Sequence, residues 1–156
     1  MTRFGIVGGG LMGHGIAVAL AVAGHHVVVY DADCATLASL DERVLRALGR
    51  CEMPPDDAVP VAARITAART LSDMVVGVDA VLEAVPERLD VKQQVLEALE
   101  AIIPAVMPVW SNTSVLSLTA GLRRPVRTAV SRPSSTRWTR RHPTSPCASP
   151  CRSSET

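Results

Sequence analysis

The chain has 156 residues, 47% of them hydrophobic and 20% charged, with a formal net charge of +1. That length suits one domain with a sizeable core, and so even a balance gives no reason to expect a nucleic-acid or membrane partner. The balance hides two compositions, however: residues 1–122 carry 8 Lys+Arg against 14 Asp+Glu, whereas residues 123–156 carry 8 Arg and a single Glu. The cysteines Cys34, Cys51, Cys147 and Cys151 form no disulfide framework of the secreted kind. No stretch reads as a transmembrane helix. The glycines between Phe4 and Ala23, with no cleavage site after a clean apolar run, argue against a signal peptide, so the expected location is the cytoplasm.

In chain order, residues 3–8 read as a short buried strand, followed by an alanine-rich helix from Leu11 to Ala23. His26 to Tyr30 is a second apolar run, closed by Asp31; near-continuous apolar strands are what a parallel sheet covered on both faces requires. Leu37, Leu40, Val44 and Leu48 recur at helical spacing and predict one helix over Ala35–Leu48, with Gly49 placed to stop it. Pro54, Pro55 and Pro60 mark an irregular connection. Arg64–Thr70 is read as a strand, Ser72–Val76 as a short helix and Asp79–Val85 as a strand. Pro86 is well placed to open a helix whose buried face is Val91, Val95, Leu99 and Ile102. Met107–Trp110 is the last strand, before Ser111-Asn112-Thr113-Ser114 and an apolar segment to Leu122. The alternation predicts an α/β fold, a Rossmann-type doubly wound parallel sheet incomplete at its C-terminal end, with ligands at the carboxyl ends of the strands.

From Arg123 the alternation stops. Of the last 34 residues, 25 are Arg, Ser, Thr or Pro, and none is Leu, Ile, Met or Phe. The expected division is therefore a dinucleotide-binding domain over residues 1–125 and a basic, disordered tail over residues 126–156.

Gly8-Gly9-Gly10-Leu11-Met12-Gly13 matches G-x-G-x-x-G between a strand and a helix. Gly8 allows the tight turn, Gly10 clears the approach of a pyrophosphate, and Gly13 lets helix pack on strand. The helix start, with Leu11 and Met12, offers unpaired N–H groups to the phosphates. Asp31, at the end of the second strand, is placed to accept hydrogen bonds from the adenosine ribose hydroxyls and to repel a 2′-phosphate, which selects NAD over NADP. The structural alternative is that Asp31 caps the next helix, a role open to Asp33 as well.

Three segments carry a more specific resemblance: Gly-Gly-Gly-Leu-Met-Gly-His-Gly-Ile-Ala (8–17), Leu-Glu-Ala-Val-Pro-Glu-Arg-Leu-Asp-Val-Lys (82–92) and Ser-Asn-Thr-Ser (111–114). In order and spacing they resemble the 3-hydroxyacyl-CoA dehydrogenases, the bacterial 3-hydroxybutyryl-CoA dehydrogenases in particular, over roughly residues 2–125. The resemblance implies NAD as cofactor, a short-chain 3-hydroxyacyl-CoA as substrate and a place in fatty-acid metabolism. It implies that Glu87 and Lys92 border the cofactor, that Ser114 lies near nicotinamide and the substrate hydroxyl as a catalytic residue, and that Asn112 shares the loop of Ser114. Without it, Glu87 reads as a helix-dipole carboxylate, Lys92 as a solvated helix face and Ser114 as a helix N-cap.

The sequence also departs from the family. Where the family has a His-Phe-Phe-Asn-Pro-like strand carrying its general base, this chain reads Pro133-Ser134-Ser135-Thr136, and no partner glutamate follows. His142 lacks the flanking pattern. The helical C-terminal domain that closes the substrate site and makes the family's dimer has no counterpart, so a family-type homodimer is not expected. His142, Cys147 and Cys151 have no conventional metal spacing, and no metal site is expected; His14 reads as a residue at the pocket edge. Three functions stay open: a 3-hydroxyacyl-CoA dehydrogenase, with a carnitine or gulonate dehydrogenase as its substrate-level alternative; a non-catalytic, truncated or frameshifted relative that keeps dinucleotide binding; and a binding module with a genuine basic, disordered tail. The composition after Pro125 is what GC-rich coding DNA yields in a shifted frame, so the tail is expected to be out of the ancestral frame, an evolved disordered tail being the competing explanation.

Overall fold

A computed structural model describes residues 1–112 of the chain. The expectations placed on the segment up to Leu122, on Ser114 and His142, and on the tail at 126–156 lie outside the described residues.

Five strands, β1 (Arg3–Val7), β2 (His26–Tyr30), β3 (Ile65–Ala67), β4 (Ala80–Glu83) and β5 (Val109–Ser111), form one sheet in the order β3-β2-β1-β4-β5. All four pairings are parallel. Because side chains alternate across a strand, Val27 and Val29 face one layer and Val28 the other. The first layer joins Ile6, Val27 and Val29 to α1 (Leu11–Val22), α3 (Leu40–Arg50) and α4 (Pro55–Ala62). The second joins Val7, Val28 and Val81 to α5 (Leu71–Met74) and α6 (Leu89–Glu100). The central strands β1 and β2 are apolar over consecutive positions in their interiors because both faces are covered. The strand order reverses between β1 and β4, the point where doubly wound sheets open a crevice at their carboxyl edge.

The helices differ from the sequence reading in instructive ways. The helix expected over Ala35–Leu48 is two, α2 (Cys34–Ala38) and α3, broken at Ser39. A continuous helix needs the Thr36 carbonyl for the Leu40 N–H. Here that carbonyl accepts from Ser39 Oγ at 3.2 Å and from Arg43 Nη2 at 2.6 Å, so side chains displace the backbone bond. Gly49 lies inside α3, and it is Glu52 that adopts the left-handed backbone, at φ 56°. The proline-rich connection folds as α4: Pro55 occupies the helix start, and buried Ala58 holds the helix on the core despite Pro60 within it. Helix α6 begins at Leu89 rather than at Pro86, and its buried face is Lys92, Leu96 and Leu99, with Val95 half-buried and Ile102 exposed. The predicted face was therefore rotated by about one residue. The strands read as Arg64–Thr70, Asp79–Val85 and Met107–Trp110 are each trimmed or shifted by a few residues.

Two glycines of α1 give a paired test of this packing. A Cβ on Gly13 would stand 1.7 Å from the Gly8 carbonyl oxygen, whereas one on Gly15 would meet nothing within 4 Å. In denaturant unfolding, Gly13→Ala should destabilise by about 1–3 kcal/mol, and Gly15→Ala should stabilise by about 0.5–1 kcal/mol through helix propensity. Equal effects of one sign would contradict the described approach of α1 to β1.

Candidate functional site

The turn from β1 into α1 is shaped by backbone contacts that only glycine permits. Gly8 has φ 102°, and a Cβ on it would lie 2.7 Å from the Ala84 carbonyl carbon and oxygen. Its N–H donates to the Tyr30 carbonyl at 2.8 Å, and Ala84 N–H donates to the Val7 carbonyl at 2.8 Å. The ends of β2, β1 and β4 thus converge on the fingerprint. Gly10 is exposed, with no atom within 4 Å of where its Cβ would be. Beside it Leu11 is 80% exposed and Met12 55%, an uncovered apolar start to a helix whose other face is buried. His14 sits at the rim, half-buried, with Nδ1 2.9 Å from the Gly10 carbonyl oxygen.

Asp31 stands at the carboxyl end of β2, half-buried. Its Oδ2 accepts the Gly9 N–H at 2.7 Å and its Oδ1 the Asp33 N–H at 2.9 Å. Asp33, not Asp31, caps the following helix, accepting from Ala35 and Thr36 N–H and from the Thr36 hydroxyl. The Thr36 hydroxyl first, and then the Ala35 N–H, hold the Asp33 carboxyl below its ordinary pKa. The cap therefore persists as pH falls, until the pH drops through that lowered value. Asp31 keeps lone pairs for hydroxyl donors, since each carboxylate oxygen accepts at about two sites.

On the other side of β1 lies a buried charge cluster that was not anticipated as a unit. Glu83, at the end of β4, and Lys92, in α6, are each 0% exposed. Lys92 Nζ donates to Glu83 Oε1 at 2.8 Å and Oε2 at 3.0 Å. Glu83 also accepts the Val85 N–H at 2.8 Å and the Ser111 hydroxyl. Its own carbonyl accepts the Asn112 N–H at 2.8 Å, which joins β5 to the same point. Glu87, whose side chain is 39% exposed, lies 3.3 Å from Lys92 Nζ through Oε2. Lys92 is therefore neither a solvated helix residue nor an open cation on the rim. It reaches the crevice by holding Glu87, the exposed member. Glu87 lies in the loop before α6, outside the helix whose dipole it was weighed against.

The chain matches the model of the 3-hydroxyacyl-CoA dehydrogenase NAD-binding domain over residues 3–148. The chain belongs to the 3-hydroxyacyl-CoA dehydrogenase family. The match runs beyond residue 125, where the sequence reading ended the resemblance. The chain is 31% identical over 137 residues to the L-carnitine dehydrogenase of Mesorhizobium japonicum, covering 85% of this chain and 38% of that protein. It is 31% identical over 134 residues to the 3-hydroxybutyryl-CoA dehydrogenase of Bradyrhizobium diazoefficiens, covering 81% of this chain and 45% of that one. The solved (S)-3-hydroxybutyryl-CoA dehydrogenase of Ralstonia eutropha superposes with a TM-score of 0.67 at 32% identity, over 77% of this chain and 44% of that one. The chain thus spans less than half the length of these relatives.

For a 3-hydroxyacyl-CoA dehydrogenase domain the cofactor is NAD, and the residues present fit it. The open space at Gly10, the bare turn at Gly8 and Gly13, and the uncovered Leu11 and Met12 form a cradle that side chains elsewhere would fill. The structure brings Gly8, Gly10, Leu11, Met12, Gly13 and Asp31 to one side of the crevice, and places Glu87, Lys92 and Asn112 at the ends of β4 and β5. Sequence reasoning missed Glu83 and Arg43. Glu83 carried a signal: a carboxylate inside an apolar strand needs a buried partner, which points to an inward-facing lysine. Among the described residues no group of His, Cys, Asp and Glu could hold a metal ion, and no helix is long and apolar enough to cross a membrane. Cys34 and Cys51 are exposed free thiols.

The Glu83–Lys92 pair makes a testable demand. Removing one partner leaves the other charge buried, so Lys92→Met or Glu83→Gln alone should cost on the order of 3–5 kcal/mol in urea unfolding. The double variant should cost clearly less than the two added together, because both charges then leave. Single losses below about 1 kcal/mol, simply additive, would show that the pair is not sequestered from water.

Proposed function

We propose that the chain is the cofactor-holding part of a dehydrogenase acting on the 3-hydroxyl of a short-chain 3-hydroxyacyl-CoA in fatty-acid metabolism. The observation that carries this reading is the fingerprint turn at the strand-order reversal, with the Asp31 carboxylate bound to the Gly9 N–H beside it. Bound NAD supplies the hydride acceptor. The N–H groups from Gly10 into α1 would hold its pyrophosphate, Asp31 would accept from the adenosine ribose hydroxyls, and Glu87 and Asn112 would border the nicotinamide side. Ser114, next in that loop, is assigned to the substrate hydroxyl. The sequence Pro133-Ser134-Ser135-Thr136 offers no base to take the hydroxyl proton. Turnover by this chain should therefore be lower than that of a whole relative by about 10²–10⁴-fold. The reading thus includes dinucleotide binding with little catalysis, in the cytoplasm.

A second substrate reading has its own support. The relative from Mesorhizobium japonicum bears the name L-carnitine dehydrogenase, and carnitine is likewise a 3-hydroxy acid, with a free carboxylate in place of the thioester and a quaternary ammonium on C4.

Calorimetry of the full chain with NAD and NADP tests the cofactor side. NAD should bind more tightly. Asp31→Ala should reduce that preference by roughly ten- to a hundredfold, as expected for hydrogen bonds to a charged group. Since Asp31 also holds Gly9, absolute affinity should fall for both cofactors, so the ratio is the informative quantity. Equal affinities in the unaltered chain would sink the assignment of Asp31 to the ribose.

A further inference from the structure

The Gly9 backbone is gripped on both sides. Its N–H is held by Asp31, and its carbonyl accepts from Arg43 Nη1 at 2.7 Å, across 34 residues of sequence. Arg43 lies in α3 and is half-buried. Its Nη2 donates to the Thr36 carbonyl at 2.6 Å and its Nε to the Ser39 carbonyl at 3.4 Å. A guanidinium is planar and always charged, and its donors form a rigid fork, so three backbone acceptors in three directions fix it in one pose. One side chain therefore ties the fingerprint turn to the end of α2 and the start of α3.

The consequence falls on the next residue. The described chain has no cis peptide bond, so the Gly9 C=O and the Gly10 N–H point in opposite directions. Drawing the carbonyl toward α2 and α3 turns the Gly10 N–H away from them; around Gly10 itself a Cβ would meet nothing within 4 Å. A charged donor on the carbonyl also polarises the peptide and makes its N–H a better donor. We propose that Arg43 is a positioning residue for the dinucleotide pyrophosphate: it touches backbone rather than phosphate, and it aims the Gly10 N–H and the turn behind it at the anion. This rests on the reading that the fingerprint turn holds NAD.

The test compares NAD, NADP and ADP-ribose binding by calorimetry in the full chain and in Arg43→Met and Arg43→Lys, well below each protein's unfolding midpoint. Arg43→Met should bind NAD and ADP-ribose about tenfold more weakly, by the same factor (about 1.4 kcal/mol). Arg43→Lys should lose less, and the NAD-over-NADP ratio should be unchanged in both. A merely structural Arg43 would lower the midpoint and leave affinities intact, and that result overturns the proposal. Loss of NAD affinity without loss of ADP-ribose affinity overturns it too, since the effect would then lie at the nicotinamide end. The amide resonance of Gly10 in the unaltered chain gives a readout independent of any variant's folding: it should move strongly with inorganic pyrophosphate, and an unmoved resonance at saturation overturns the proposal. If the unaltered chain fails to bind NAD, the cofactor reading falls as well; binding that the variants do not change removes Arg43 alone.

Discussion

Helix α1 starts where it does because nothing but hydrogen stands between Gly13 and the Gly8 carbonyl, where a Cβ would lie at 1.7 Å. That close approach sets the distance from helix to sheet, which lets the loop after β4 pass over Gly8 and brings three strand ends together. Bare backbone at this edge leaves N–H groups facing an open space, and a helix start adds a partial positive charge there. The ligand chemistry follows from a packing constraint: an extended anion fits where no side chain projects.

Two polar devices hold the crevice, one on each side of β1. Asp31 and Arg43 grip the Gly9 backbone from the β2 side. Glu83 gathers Lys92, Val85, Ser111 and, through its carbonyl, Asn112 on the β4 side. Neither device resembles a surface salt bridge, whose worth is small. Lys92 and Glu83 are wholly buried, and their mutual satisfaction makes a pair of charges tolerable inside the protein. The pair also joins two strands and a helix at the place where Glu87 emerges.

How far this was legible varies with the physics of each signal. The strands could be read because a sheet covered on both faces favours consecutive apolar residues, as Val27, Val28 and Val29 show. Asp31 and the glycines could be read because each answers a local demand. The break at Ser39 could not, because it depends on which side chains win the Thr36 carbonyl, and periodicity carries no trace of that contest. Prolines read as breakers gave a helix at α4, since one was at its start and tertiary packing outweighed the other. The resemblance sets Lys92 beside the cofactor, the bare sequence sets it on a solvated helix face, and neither uses the sign left by Glu83 in the strand, which asks for a buried partner. Arg43 left no sign, because its partners are backbone carbonyls, which look alike in any sequence.

Gly10 offers the most direct measurement. Its backbone has φ −63°, which any residue adopts, and a Cβ there would meet no protein atom within 4 Å. Gly10 is the N-cap of α1, where alanine is poorer than glycine, so Gly10→Ala should cost no more than about 1 kcal/mol of stability, yet weaken NAD binding at least about tenfold, because the methyl would occupy the pyrophosphate's place. Unfolding and calorimetry on the same sample would decide it. A folded variant that binds NAD as tightly as the original would contradict a cofactor lying on this turn.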